Sequence, residues 1–195
     1  MNATAYRLPP TLYLLLLAAT FPTTKVFMRF LVLLGCALLA QHASAQSPIA
    51  NATGQTIDGI SCDAQEGQRI HIHQHLLIVD RGKAVQIPPN VGQPANVRCI
   101  YWLHTHTPDG IIHIEAPKDR SFTLGDFFKV WGQPLSRTSA ATAHVRKGRT
   151  LKVWLNGKAY TGDPAEIALT AHQDIVIEAG PPFPKPKAFV TWGNL

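Results

Sequence analysis

The chain has 195 residues, a formal charge of +6, nine histidines and three cysteines. Three of its cations, Arg7, Lys25 and Arg29, fall in the first 45 residues, which hold no acid. Taking 45 from 195 and three charges from +6 leaves 150 residues near +3. That remainder is one domain's length, and it lacks the basic runs interleaved with aromatics that a nucleic-acid surface needs, so no nucleic-acid partner is expected.

Residues 28–45 (MRFLVLLGCALLAQHASA) read as an export signal. Arg29 supplies the positive start, Phe30 to Ala40 the apolar run, and Ala43-Ser44-Ala45 the small-residue cleavage site. The region 1–45 is therefore expected to be removed, leaving a periplasmic or secreted chain that starts at Gln46. The run is shorter than the roughly 20 residues of a spanning helix, so the mature chain is expected to have no membrane span. A second apolar stretch over residues 11–21 (TLYLLLLAATF) is broken by Pro22 and Lys25. Translation from Met28 accounts for it most simply. A composite signal, a retained membrane anchor, or a lipoprotein end at Cys36 are the alternatives.

Residues 46–68 are polar with scattered glycine and proline, and read as a partly mobile lead-in to a histidine-rich β domain over 69–180. Within it, residues 69–79 (RIHIHQHLLIV) form the first strong strand, with β-branched residues and alternation in its first half. Asp80-Arg81-Gly82 turns it into a short return strand over 83–87. Residues 98–107 (RCIYWLHTHT) form the second strong strand, and residues 111–115 the next. Thr123 to Asp126 is a capping-box variant that opens a short helix, LGDFFKVW, ended by Gly132. Asn156-Gly157 is a hairpin turn between two strands. Asp163 to Glu166 is a capped single turn, and residues 174–179 a last strand. The proline-rich tail, 181–195, is expected to run extended. These elements predict a mainly β fold: a small antiparallel sandwich or barrel with one short helix. Cys62 and Cys99 remain after cleavage, and a pair of cysteines in an oxidising compartment predicts a disulfide. Two thiolate metal ligands are the alternative.

Six of the nine histidines lie between Ile70 and Glu115, on predicted strands. His71, His73 and His75 are spaced by two, as are His104 and His106, and His113 and Glu115. Period two places each set on one face of its strand. A four-residue loop over 107–110 pairs His106 with Ile111, His104 with His113, and Trp102 with Glu115. It gathers His104, His106, His113 and Glu115 on one face and Tyr101, Leu103, Ile112 and Ile114 on the other. A three-residue loop with a bulge at Gly110 is the competing register and would move His113 and Glu115 to the face of Leu103. The first register is preferred because hydrophobic patterning then agrees across both strands. From the first strand, His73 and His75 are expected nearest the cluster, with His71 in reserve.

Imidazoles at this density suit a transition metal. Each carries two nitrogens that need partners, and neutral imidazole binds zinc or copper(II) well, with manganese, iron and nickel as further options. No methionine follows Met28, which argues against a thioether copper(I) carrier. The expected partner is thus a metal ion, and the expected function is extracytoplasmic metal binding for storage, sensing or delivery. A metal-dependent hydrolase, lyase or oxidase is the alternative, with His104, His106 and His113 as ligands and Glu115 as orienter or general base. A structural or adhesion module without metal is the third reading. His144 and His172 stand alone and are expected to be structural or solvent-facing.

The segments HIHQHL (71–76), CIYWLHTH (99–106), GIIHIE (110–115), LGDFFKVWG (124–132) and NGK (156–158) together resemble a pattern shared by a group of exported prokaryotic proteins. The resemblance covers most of residues 46–195 and implies a common domain and export. It implies no reaction, because the group has no assigned activity.

Overall fold

The computed structural model describes residues 54–195. The export signal expected at residues 28–45 lies outside the described residues. No helix among the described residues is long and apolar enough to cross a membrane.

The elements follow in the order β1 (Cys62–Asp63), β2 (Ile70–Asp80), β3 (Lys83–Val85), β4 (Ile100–Tyr101), β5 (Leu103–His104), β6 (Ile111–Ala116), α1 (Leu124–Trp131), β7 (Ser139–Ala140), β8 (Ala143–His144), β9 (Lys152–Leu155), β10 (Lys158–Tyr160), a 3-10 turn (Pro164–Glu166) and β11 (Gln173–Ala179). The fold is mostly β with one helix, as its alternating segments predict. Its main sheet runs β10-β9-β11-β2-β6-β5, with β3 paired to β2. This sheet is open rather than closed into a barrel. It is also mixed, because β11 lies parallel to β2, with Gln74 opposite Gln173. Side-chain alternation is the same in parallel and antiparallel strands, so sequence pattern could not separate them. A parallel neighbour needs a long crossover, and the chain from β3 through the hairpin β9–β10 supplies it.

One face of the sheet builds the core. Leu76, Ile78, Leu103, Ile112, Ile114, Ile175 and Ile177 are buried there with Leu124, Phe127, Phe128 and Trp131 of α1. The helix starts where expected. The Thr123 side chain accepts from the Asp126 amide, and the Asp126 carboxylate accepts from the Thr123 amide. Gly132 closes it at φ 69°, a left-handed conformation that costs glycine least.

Three segments differ from expectation. Residues 54–68 are not a loose lead-in, because Ile60 is fully buried and β1 pairs with β4. The disulfide Cys62–Cys99 fastens this segment, with 5.3 Å between the Cα atoms. The strand expected over 98–107 is divided at Trp102, since β4 pairs with β1 whereas β5 pairs with β6. The proline-rich tail returns to the domain: Phe189 stacks on His75, and its amide donates to Asp174.

Candidate metal centre

Strand register brings the histidines together. In the ladder β5–β6–β2, His104 is opposite His113, and His113 is opposite His73. One step along, Glu115 is opposite His71, and its amide donates to the Trp102 carbonyl. Cβ atoms directly opposite in an antiparallel pair are about 5 Å apart, so these rows form a block of imidazole and carboxylate on one face. Leu103, Ile112 and Ile114 point the other way into the core. The four-residue-loop register therefore holds at His104–His113 and at Trp102–Glu115. It does not extend to His106 and Ile111. The backbone of Thr105 instead donates to Val91 and accepts from Asn90, drawing the chain away from β6. His106 still turns back, placing its Nε2 3.2 Å from Nε2 of His104.

One potential ligand atom from each of His104, His106, His113 and Glu115 lies within 4.8 Å of all the others. His113 Nδ1 is 3.2 Å from Glu115 Oε1, and His104 Nε2 is 4.0 Å from the same oxygen. Four ligands at about 2.05 Å on a tetrahedral zinc ion are about 3.3 Å apart. Two of the spacings, 3.2 Å each, are that size, a third is 4.0 Å, and the rest lie within 4.8 Å, so the side chains would draw inward on an ion. The ring of His104 is also oriented for ligation: its Nδ1 donates to the Tyr101 carbonyl at 2.9 Å, which leaves the Nε2 lone pair facing the cluster. His71, His73 and Glu115 form a second such group. His71 Nε2 is 3.3 Å from Glu115 Oε1, so Glu115 belongs to both. The described residues thus contain buried histidine and glutamate groups that could hold a metal ion.

His75 does not join them; His71, held in reserve, stands beside Glu115 instead. The strand partner of His75 is Ile111, so no imidazole faces it across the ladder. His75 Nδ1 donates to Asp174 Oδ1 at 2.8 Å, and its ring stacks on Phe189 with centroids 3.9 Å apart. The structure adds Glu66, which the sequence reading omitted. Its Oε1 lies 3.5 Å from His106 Nε2 and 3.8 Å from His104 Nε2. Gly67 places it there. The Gly67 amide donates to the Glu115 carbonyl, and a Cβ on Gly67 would stand 2.2 Å from the Ala116 carbonyl carbon. A glycine just ahead of a strong strand was the available signal, but it does not say which strand the glycine approaches.

The site's electrostatics favour a cation. Burial lowers the pKa of His104 to about 4 and of His113 to about 3, with neighbouring imidazoles adding to the shift, so both rings are neutral at neutral pH. Burial also raises Glu115 to about 7, reinforced by the hydrogen bond and negative charge of Glu66. A carboxyl group held half-protonated among neutral imidazoles lacks a positive partner, and a metal ion would provide one.

Comparison with known protein families, with curated proteins and with solved structures finds no match to this chain.

Proposed function

We propose that residues 46–195 form an exported transition-metal-binding domain in which His104, His106, His113 and Glu115 ligate one ion. The supporting observation is the convergence of three imidazoles and a carboxylate within 4.8 Å, from two adjacent strands and the turn between them. The strand pair fixes most of these ligands before any ion arrives. Neutral rings and one carboxylate suit zinc or copper(II) best, and manganese, iron or nickel less well. The role is storage, sensing or delivery of the ion. Export rests on the signal-like residues 28–45 and agrees with the disulfide Cys62–Cys99.

The test is the double variant His104→Ala/His106→Ala. Metal content by mass spectrometry should lose the ion held at this position. Far-UV circular dichroism and the disulfide should be retained, because both side chains face away from the Leu103–Ile114 core. A variant that binds metal as the parent does would place the site elsewhere. His106→Gln, at a ring with 41% of its surface exposed, tests the same ligand set with less risk to folding.

A metal-dependent hydrolase, lyase or oxidase is a second reading, favoured by Glu66. Its side chain is 45% exposed and its carboxylate lies beside His106, where a general base for a metal-bound water would stand. Glu66→Gln should then keep the metal yet slow hydrolysis of an activated ester. Equal rates would remove the support that Glu66 lends to this reading.

A further inference from the structure

We infer that the cluster holds two metal ions rather than one, bridged by Glu115, with the second ion on His71 and His73. This deepens the proposed function and rests on its first ion. His73 is 6% exposed, and its Nε2 is buried with no hydrogen-bond partner among the described residues. An imidazole nitrogen in that position forfeits its hydrogen bond to water and gains none in return. A metal ion would satisfy it.

The geometry is continuous with the first site. The His73 ring packs edge-on against His113 at 4.5 Å between centroids and against His71 at 4.9 Å. Five imidazoles, from His71, His73, His113, His104 and His106, therefore form one contiguous group around Glu115. The Glu115 carboxylate contacts a member of each ligand group, His113 at 3.2 Å and His71 at 3.3 Å. Only a bridging carboxylate serves both ligand groups at once. It would keep two ions about 3.5–4 Å apart, the spacing usual for paired-metal sites.

The two ions would differ. The first has three nitrogens and one oxygen, a complete tetrahedron. The second has His71, His73 and Glu115, which leaves a position open. The His71 side chain is 58% exposed, so that position faces solvent. The second ion is accordingly the exchangeable one, and the one able to take a water or a small anionic ligand.

The experiment is a zinc titration of the metal-free protein against a competing chelator, which counts only tight sites. The parent should bind two equivalents. His71→Ala, at an exposed side chain that the fold does not need, should weaken the second equivalent at least tenfold, and His71→Ala/His73→Ala should bind one. Copper(II) at two equivalents should give a spin count below two per chain, because bridged ions couple. At one equivalent the count should be one. A parent that binds one equivalent, unaffected by either substitution, overturns the second ion and leaves the first. Two equivalents retained in the double variant also overturn it, placing the second ion elsewhere. No tight zinc at all overturns both.

Discussion

Metal loading should expel a proton from Glu115, and the amount follows from the structure. With its pKa raised to about 7, this carboxyl is about nine-tenths protonated at pH 6 and about one-tenth protonated at pH 8. A metal ligand must be ionised, so the first equivalent should displace about 0.9 proton from Glu115 at pH 6 and about 0.1 at pH 8. His104 and His113 should contribute almost none, because values of about 4 and about 3 leave them neutral across that range. The affinity cost is about 1.4 kcal/mol for each pH unit below 7, so Glu115 alone should weaken binding about a hundredfold at pH 5. Calorimetry of zinc binding in buffers of different ionisation enthalpy gives proton release directly. Comparing the parent with Glu115→Gln isolates this carboxyl from the other histidines. The difference should be close to one proton at pH 6 and vanish by pH 8. Equal release by parent and variant at pH 6 would refute the assignment of Glu115 as a ligand.

Without metal, the same groups give a pH-dependent stability. The lowered values of His104 and His113 mean that their contribution is lost as pH falls from 6.5 through about 4 and about 3. The raised value of Glu115 means that its contribution is lost as pH rises from 4.5 through about 7. Two groups outweigh one, so the urea midpoint of the metal-free protein should rise between pH 4.5 and 6.5; a flat profile would contradict this. Replacing Cys62 and Cys99 with serine removes a bridge between residues 37 apart and should destabilise by about 4 kcal/mol, from the added freedom of the unfolded chain. The same variant should weaken metal binding if Glu66 assists it, because Glu66 lies four residues after Cys62. Gln74 is fully buried, and neither atom of its amide meets a partner among the described residues. Gln74→Met should therefore raise stability by about 1 kcal/mol in denaturant titration, and a loss would show that the amide is satisfied.

Much of the site was legible because period two is rigid. The H-x-H, H-x-E and H-x-H-x-H segments declared their shared faces, and agreement of the Leu103 and Ile112–Ile114 patterning chose the right pairing of His104 with His113. The capping box at Thr123 and the Asn156-Gly157 turn were readable for the same local reason. What the sequence did not convey was non-local. Alternation cannot reveal that β11 runs parallel to β2, nor that Asp174 of β11 and Phe189 of the tail would engage His75. The burial of Ile60 and the position of Glu66 depend on a disulfide and a close glycine contact made across the fold. Polar composition alone made that segment look like a loose lead-in.

The most direct measurement is metal analysis of the protein purified from its native compartment, without added metal and without an affinity tag. The protein should carry at least one equivalent of a single transition metal per chain, lost from the His104→Ala/His106→Ala variant. Protein recovered folded and disulfide-bonded, but with only traces of mixed metals, would contradict it.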